Sequence, residues 1–91
     1  MKITWTSKAL SDLVRLYEFL SVKDKRAAAR AVQSLSAAPD RLLEQARIGE
    51  ILDEFAPREV RRIIVGRYEM RYEIQESLIF VLRIWHTRED R

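Results

Sequence analysis

The chain has no cysteine, one histidine, two glycines and two prolines among its 91 residues. Without cysteine there is no disulfide and no thiolate metal site. A lone histidine leaves a structural zinc site short of ligands. Glycine is confined to Gly49 and Gly66, which excludes a glycine-rich phosphate cradle, so no nucleotide cofactor is implied. There is no Gly-x-Ser-x-Gly elbow, and with it goes the usual serine nucleophile. No apolar run approaches the roughly 20 residues that span a bilayer, and Met1 to Thr6 is not built like a secretory leader. These absences predict a cytoplasmic protein with no membrane partner, no metal and no cofactor. The length predicts a single domain over residues 1–91.

Lysine also runs out: after Lys25 every basic residue is arginine, although the net charge is a modest +3. Arginine presents a planar fork that grips carboxylates and phosphates with two hydrogen bonds. Several of these arginines fall in the last third of the chain, where the patterning is clearest. Tyr68, Met70, Tyr72 and Ile74 alternate with Arg67, Glu69, Arg71 and Glu73, the period of a half-buried strand. Val60 to Val65 and Leu78 to Trp85 flank it and are rich in β-branched and aromatic residues.

Three strands joined by short turns make an antiparallel meander. Gly66 suits the first position of a two-residue hairpin turn, which pairs Val65 with Tyr68, Ile63 with Met70 and Arg62 with Arg71. A loop of Gln75, Glu76 and Ser77 then pairs Ile74 with Leu78, Tyr72 with Phe80, Met70 with Leu82 and Tyr68 with Ile84. The expected core face is Tyr68, Met70, Tyr72, Ile74, Phe80, Leu82 and Ile84. The reverse face carries Arg62, Glu69, Arg71, Glu73, Arg83 and Trp85.

Upstream, Lys2 to Thr6 reads as a short strand and Thr6 or Ser7 as a helix N-cap. Ala9, Leu10, Leu13, Val14, Tyr17 and Leu20 follow at helical spacing as the inward stripe. A polar link leads to a second helix from about Lys25 to Ser36, with Ala28, Ala31, Val32 and Leu35 inward and Pro39 as its stop. A short turn carries Leu42, Leu43 and Ala46, Ile48 to Glu50 turns again, and Ile51, Leu52 and Phe55 anchor an irregular crossing. The expected fold is α+β, in the order β-α-α-β-β-β: an antiparallel sheet with a helical hairpin packed on one face.

Arg62 opposite Arg71 is a like-charge pair that needs neutralising. Glu69 can do this from within, or a phosphate or acidic partner from outside. Trp85 can cover Arg67 or offer a stacking platform, and His86 is able to act as an acid or base. Leu16, Val22 and Ala27, with Leu20 at the end of the inward stripe, leave some apolar surface with room for an amphipathic partner segment.

Three stretches share a further property. Trp5-Thr6-x-x-Ala9-x-x-Asp12-Leu13, Arg61-Arg62-Ile63-Ile64-Val65-Gly66-Arg67-Tyr68-x-Met70-Arg71-Tyr72 and Ile84-Trp85-His86-Thr87-Arg88, in this order, resemble the RelE/ParE superfamily of bacterial toxins. The resemblance covers essentially the whole chain. It implies the toxin of a type II toxin–antitoxin, or plasmid stabilisation, module. Its partner would be a ParD- or RelB-like antitoxin lying over the helical hairpin at Leu10, Leu13, Val14, Leu16, Tyr17 and Leu20, in complexes that can grow beyond a heterodimer.

RelE-like relatives cleave mRNA on the ribosome, whereas ParE-like relatives bind DNA gyrase. Where RelE-like nucleases often carry Tyr-Arg, this chain has Tyr68-Glu69, and a carboxylate there repels phosphate. The meander also lacks the lysines on which those nucleases lean. The resemblance therefore favours gyrase, with Arg62, Arg71, Arg83, Trp85, His86 and Arg88 as target contacts. The alternative is a ribosome-dependent mRNA endonuclease using Glu69, Arg71, His86 and Arg88. A further alternative is a non-toxic binding module.

Overall fold

In a computed structural model the chain is described over residues 1–88; Glu89, Asp90 and Arg91, which end the expected polar tail, lie outside the described residues. The first strand, β1 (Lys2–Trp5), stops at Thr6, whose hydroxyl accepts the Ala9 N–H and so caps α1 (Ser7–Ser21). Asp24 caps α2 (Lys25–Ala37) by accepting from the N–H groups of Arg26 and Ala27. Pro39 lies near the start of a 3₁₀ turn (Ala38–Leu43), where its missing N–H leaves no helical bond unmade. The chain then supplies β2 (Glu50–Ile51), a second 3₁₀ turn (Asp53–Phe55), β3 (Glu59–Val65), β4 (Tyr68–Gln75) and β5 (Leu78–His86). Among the described residues no helix is long and apolar enough to cross a membrane.

The strands form one sheet in the order β1-β5-β4-β3-β2, and the two helices pack over one face of it, the expected α+β arrangement. Two details differ. The sheet is mixed, because β1 runs parallel to β5, with Ile3 against Ile79 and Trp5 against Val81. No hairpin ties β1 to its neighbour, so the intervening chain is long enough for a parallel pairing. Glu50 and Ile51, expected in a turn and a crossing, instead add a short edge strand to β3.

The β3–β4 pairing is as predicted, with Val65 against Tyr68 and Arg62 against Arg71 around Gly66 at φ +60°. The β4–β5 pairing is not. Glu76 adopts φ +54°, which closes the turn one residue sooner and pairs Gln75 with Leu78. Tyr72 therefore meets Val81, and Ile79 and Val81 enter the core in place of Phe80 and Leu82, which are only half buried. A bulge beyond Tyr72 then adds a second shift, so that Met70 pairs with Ile84 and Glu69 with Trp85. Two shifts of one restore the parity, and Ile84 faces the core as expected.

The core has two adjoining parts: Ala9, Leu16, Leu35, Met70, Val81 and Ile84 in one, and Leu42, Tyr72, Ile74 and Ile79 in the other. Helix α1 is rotated relative to its expected stripe. Ala9, Asp12 and Leu16 are buried, whereas Leu10, Val14 and Tyr17 are exposed. The cause is Asp12, which is drawn inward to bond the sheet.

Candidate functional site

β1 ends at Trp5 while β5 continues to His86, so beyond Val81 the outer edge of β5 has no strand beside it. Polar groups of α1 take that place. The Thr6 hydroxyl lies 2.8 Å from the Val81 carbonyl, to which it donates, and Arg15 Nη2 donates to the Ile84 carbonyl at 3.4 Å. Between them the Asp12 carboxylate accepts the Ile84 N–H at 2.9 Å. Its two oxygens also receive the fork of Arg83, at 2.9 and 3.3 Å. Asp12 is only 4% exposed, a buried charge made tolerable by this full set of donors. In the sequence Asp12 is one of the residues that carry the family resemblance, and nothing in its pattern there announces this task. The available signal was an acidic residue three positions after Ala9 and four before Leu16, on the face that must be buried.

The sheet face away from the helices is built by alternation along β3, β4 and β5. Glu69 is 1% exposed and lies between Arg71, whose Nε donates to it at 3.0 Å, and Arg62, whose Nη1 donates at 3.2 Å. The Arg62–Arg71 juxtaposition is thus neutralised from within. Arg62 also reaches Glu50 at 2.7 Å, and that bond is the main reason its guanidinium holds its proton more tightly than usual. Arg58 grips Glu73 with both arms, at 2.7 and 3.1 Å. The bond to Arg58 holds the Glu73 carboxyl below its ordinary range, against the opposing effect of burial.

Aromatic rings interleave with these cations. Arg71 lies 4.6 Å from the Trp85 ring centre and 5.6 Å from that of Phe55. Arg83 lies 5.0 Å from Trp85, and Arg58 lies 6.0 Å from Phe55; Trp85 thus stacks with Arg71 and Arg83 rather than with the expected Arg67, because the β4–β5 register pairs it with Glu69. The order Arg58, Phe55, Arg71, Trp85, Arg83 is a ladder of alternating cation and ring. Its arginines and Arg62 meet Glu50, Glu69, Glu73 and Asp12, so four positive charges face four negative ones. Phe55 and Arg58 belong to this face but lie before β3, where their sequence shows no strand pattern to place them.

Of the sequence-expected contacts, Arg71, Arg83 and Trp85 come together on this ladder, and Arg62 joins it through Glu69. His86 and Arg88 do not. His86 is paired with Tyr68 and packs edge-on against its ring, with 5.4 Å between ring centres, on the side that bears the helices. Its Nδ1 accepts the Arg88 N–H at 3.1 Å. The set Glu69, Arg71, His86 and Arg88 is therefore divided between two sides of the sheet, and Glu69 is enclosed by its own arginines. Of the expected antitoxin contacts, Leu16 is core, and Leu13 and Leu20 are half buried. Leu10, Val14 and Tyr17 form an exposed stripe at i, i+4 and i+7. No three His, Asp or Glu side chains among the described residues converge to hold a metal ion.

Known proteins share this architecture. A family model described as the ParE toxin of type II toxin-antitoxin system, parDE, matches residues 3–91. "Toxin RelE2" of Caulobacter vibrioides is 29% identical over 86 residues, covering 94% of each chain. A solved structure described as "Chromosomal ParDE TA system from P. aeruginosa" superposes with a TM-score of 0.79 at 26% identity, over 94% of this chain and 95% of that one.

Proposed function

The chain belongs to the ParE toxin family of type II toxin–antitoxin systems, and from that premise we propose that it acts in the cytoplasm by binding DNA gyrase. An antitoxin bound over α1 silences it. The observation that carries the target reading is the neutralised ladder. A surface made for the RNA backbone presents cations in excess, since affinity for phosphate rests on them. Here each arginine of the ladder is already engaged by a carboxylate of the same chain. What the face offers instead is flat aromatic and guanidinium area with satisfied charges, the composition favoured at the centres of protein–protein interfaces.

The division of Glu69 and Arg71 from His86 and Arg88 supports the same reading. A general base must come within hydrogen-bond reach of its proton in company with the groups that stabilise the phosphorane. Contact without chemistry asks for no such convergence. The exposed Leu10, Val14 and Tyr17 stripe, in turn, suits an amphipathic antitoxin helix laid along α1.

The test is induction of the chain alone in bacteria, followed within minutes by separate assays of DNA and mRNA integrity. The expected result is gyrase-dependent DNA breaks with transcripts intact. Cleaved transcripts with intact DNA would assign the chain to the nuclease branch. Normal growth with soluble toxin present would make it a binding module without toxicity.

A further inference from the structure

Helix α2 carries a second set of arginines, in surroundings unlike those of the ladder. Arg30, with Ala31, Ser34, Val65 and Gly66, lines a cleft beside the β3–β4 turn. Arg41 lines the adjoining cleft, which shares Ser34, Val65 and Gly66. Together they form one trough between the outer flank of α2 and the end of β3, where β2 pairs no further than Arg62 and leaves the edge open. Arg26 stands one helical turn before Arg30 on the same flank. All three arginines are exposed, and none has an ion pair or a side-chain hydrogen bond among the described residues.

On the ladder each guanidinium meets a carboxylate of the same chain. In the trough there is none to meet. No Asp or Glu lines it among the described residues, and α2 has no acidic residue along its length. Asp24 is occupied in capping the helix, through the N–H groups of Arg26 and Ala27. Asp40 adjoins Arg41 in the chain without pairing with it. Cations in excess, with small side chains such as Ser34 and Ala37 between them, suit a polyanion that must come close. Arg26 and Arg30 are separated by about 6 Å of helix, or two steps of roughly 3.4 Å along one strand of a duplex. The aromatic ring at the trough is that of Tyr68, half buried and packed against His86. A single strand needs exposed rings on which to stack its bases, so the chemistry here is that of a duplex backbone.

We propose that the α2 trough binds the phosphate backbone of double-stranded DNA through Arg26, Arg30 and Arg41. The setting rests on the gyrase reading: the duplex is the one the enzyme holds, while the ladder meets the enzyme itself. The ladder lies on the sheet face away from the helices and the trough on the side that bears them, so one toxin molecule can engage both. Helix α1 packs against β5, whereas the trough lies toward the β3–β4 turn, clear of the stripe assigned to the antitoxin.

The experiment is fluorescence anisotropy of a labelled DNA duplex, long enough to span the trough, titrated with the full chain at several salt concentrations. Saturable binding is expected, with log K falling against log salt at a slope of about −2.7 for three neutralised phosphates. Arg30→Gln and Arg41→Gln should each reduce the slope by about 1 and weaken binding roughly three- to tenfold at low salt. Both residues are exposed, and an unchanged melting temperature confirms that the variants fold. Lys8→Gln removes one charge from the start of α1 and should leave the affinity within about twofold. Absence of saturable binding at low salt overturns the proposal. So does an equal loss in Lys8→Gln, which would reduce the effect to net charge, or tighter binding of a single-stranded RNA of the same length. Gyrase is absent from this assay, so a failure here is distinct from a failure of the gyrase reading, which would show as intact DNA on induction.

Discussion

Asp12 Oδ2 and Ile84 N lie 2.9 Å apart and join the first helix to the last strand across 72 residues of chain. This bond does for the edge of β5 what a neighbouring strand would otherwise do, and the same carboxylate fixes Arg83 beside Trp85. Asp12→Ala leaves a buried N–H without its acceptor and a guanidinium without its partner. It should destabilise the fold by about 2–3 kcal/mol, the scale of an unsatisfied buried group. Asp12→Asn keeps an acceptor for Ile84 and should lose about half as much. Urea denaturation of the two variants against the parent checks both the size and the order.

Gly49 and Tyr72 make a second long-range lock. The Tyr72 hydroxyl accepts the Gly49 N–H at 3.0 Å and donates to the Ala46 carbonyl at 2.7 Å. A Cβ on Gly49 would lie 2.5 Å from the Tyr72 oxygen and 2.6 Å from the backbone oxygen of Arg62, which cannot yield without moving β3. Gly49→Ala should therefore cost about 1–3 kcal/mol as an overpacked site. Tyr72→Phe should cost a similar amount, about 1–3 kcal/mol, because it strands both backbone groups. The double variant should cost less than the sum of the two, since each change removes the same hydrogen bond or the atom it clashes with. Thermal or urea unfolding of all three variants measures that coupling.

The acid limb of stability has two named sources. Glu73 is held low first by its bond to Arg58, and Glu59 first by its bond to Arg47, both relative to an ordinary value of 4.5. A carboxyl depressed in the folded state binds its proton more readily when unfolded. Its contribution is complete above the ordinary value and fades as pH falls through the lowered one. The urea midpoint should thus hold steady from pH 7 to about 5 and then decline. Glu73→Gln should lower the midpoint at pH 7 and flatten the decline. An acid limb of undiminished steepness in Glu73→Gln would remove Glu73 from this account.

How far the sequence could be read depended on where a local rule was also the global one. Gly66 permits positive φ without strain, so the β3–β4 turn and every pairing that follows from it were legible. Glu76 takes a positive φ that its residue type does not advertise, and the bulge opposite Arg71 and Tyr72 has no residue signature at all. Phe80 and Leu82 were therefore placed in the core ahead of Ile79 and Val81, although Ile84 and Trp85 came out on their true faces. On α1 the apolar spacing alone favoured Leu10, Val14 and Tyr17 as inward. Asp12 overrode it, because a buried hydrogen-bonded carboxylate carries no weight in a hydrophobic pattern. The arginine-rich face and its neutralisation by Glu69 were legible as one of two readings, but the extent of that neutrality was not. That depends on Glu50 and Asp12, which reach it from β2 and α1.

An antitoxin seated as proposed on the exposed Leu10, Val14 and Tyr17 would make silencing separable from toxicity. At 50%, 59% and 40% exposure these side chains add little to the core, so charged replacements there should leave the fold nearly as stable as the parent. Buried against an antitoxin helix, the same charges would lose water with no partner arranged to receive them. Val14→Asp and Tyr17→Asp should each weaken antitoxin binding by about 30- to 1,000-fold, or roughly 2–4 kcal/mol, as central interface residues do. Calorimetry against the antitoxin measures the loss, and growth of cells carrying both genes reads its consequence: the variants should kill in the presence of an antitoxin that protects from the parent. Trp85→Ala is the complementary change, on the ladder at the other face of the sheet. It should bind antitoxin as the parent does and lose toxicity. Were Val14→Asp still neutralised in full, the antitoxin would have to seat elsewhere, and the exposed Phe19 and Val22 side chains would be the next to mutate.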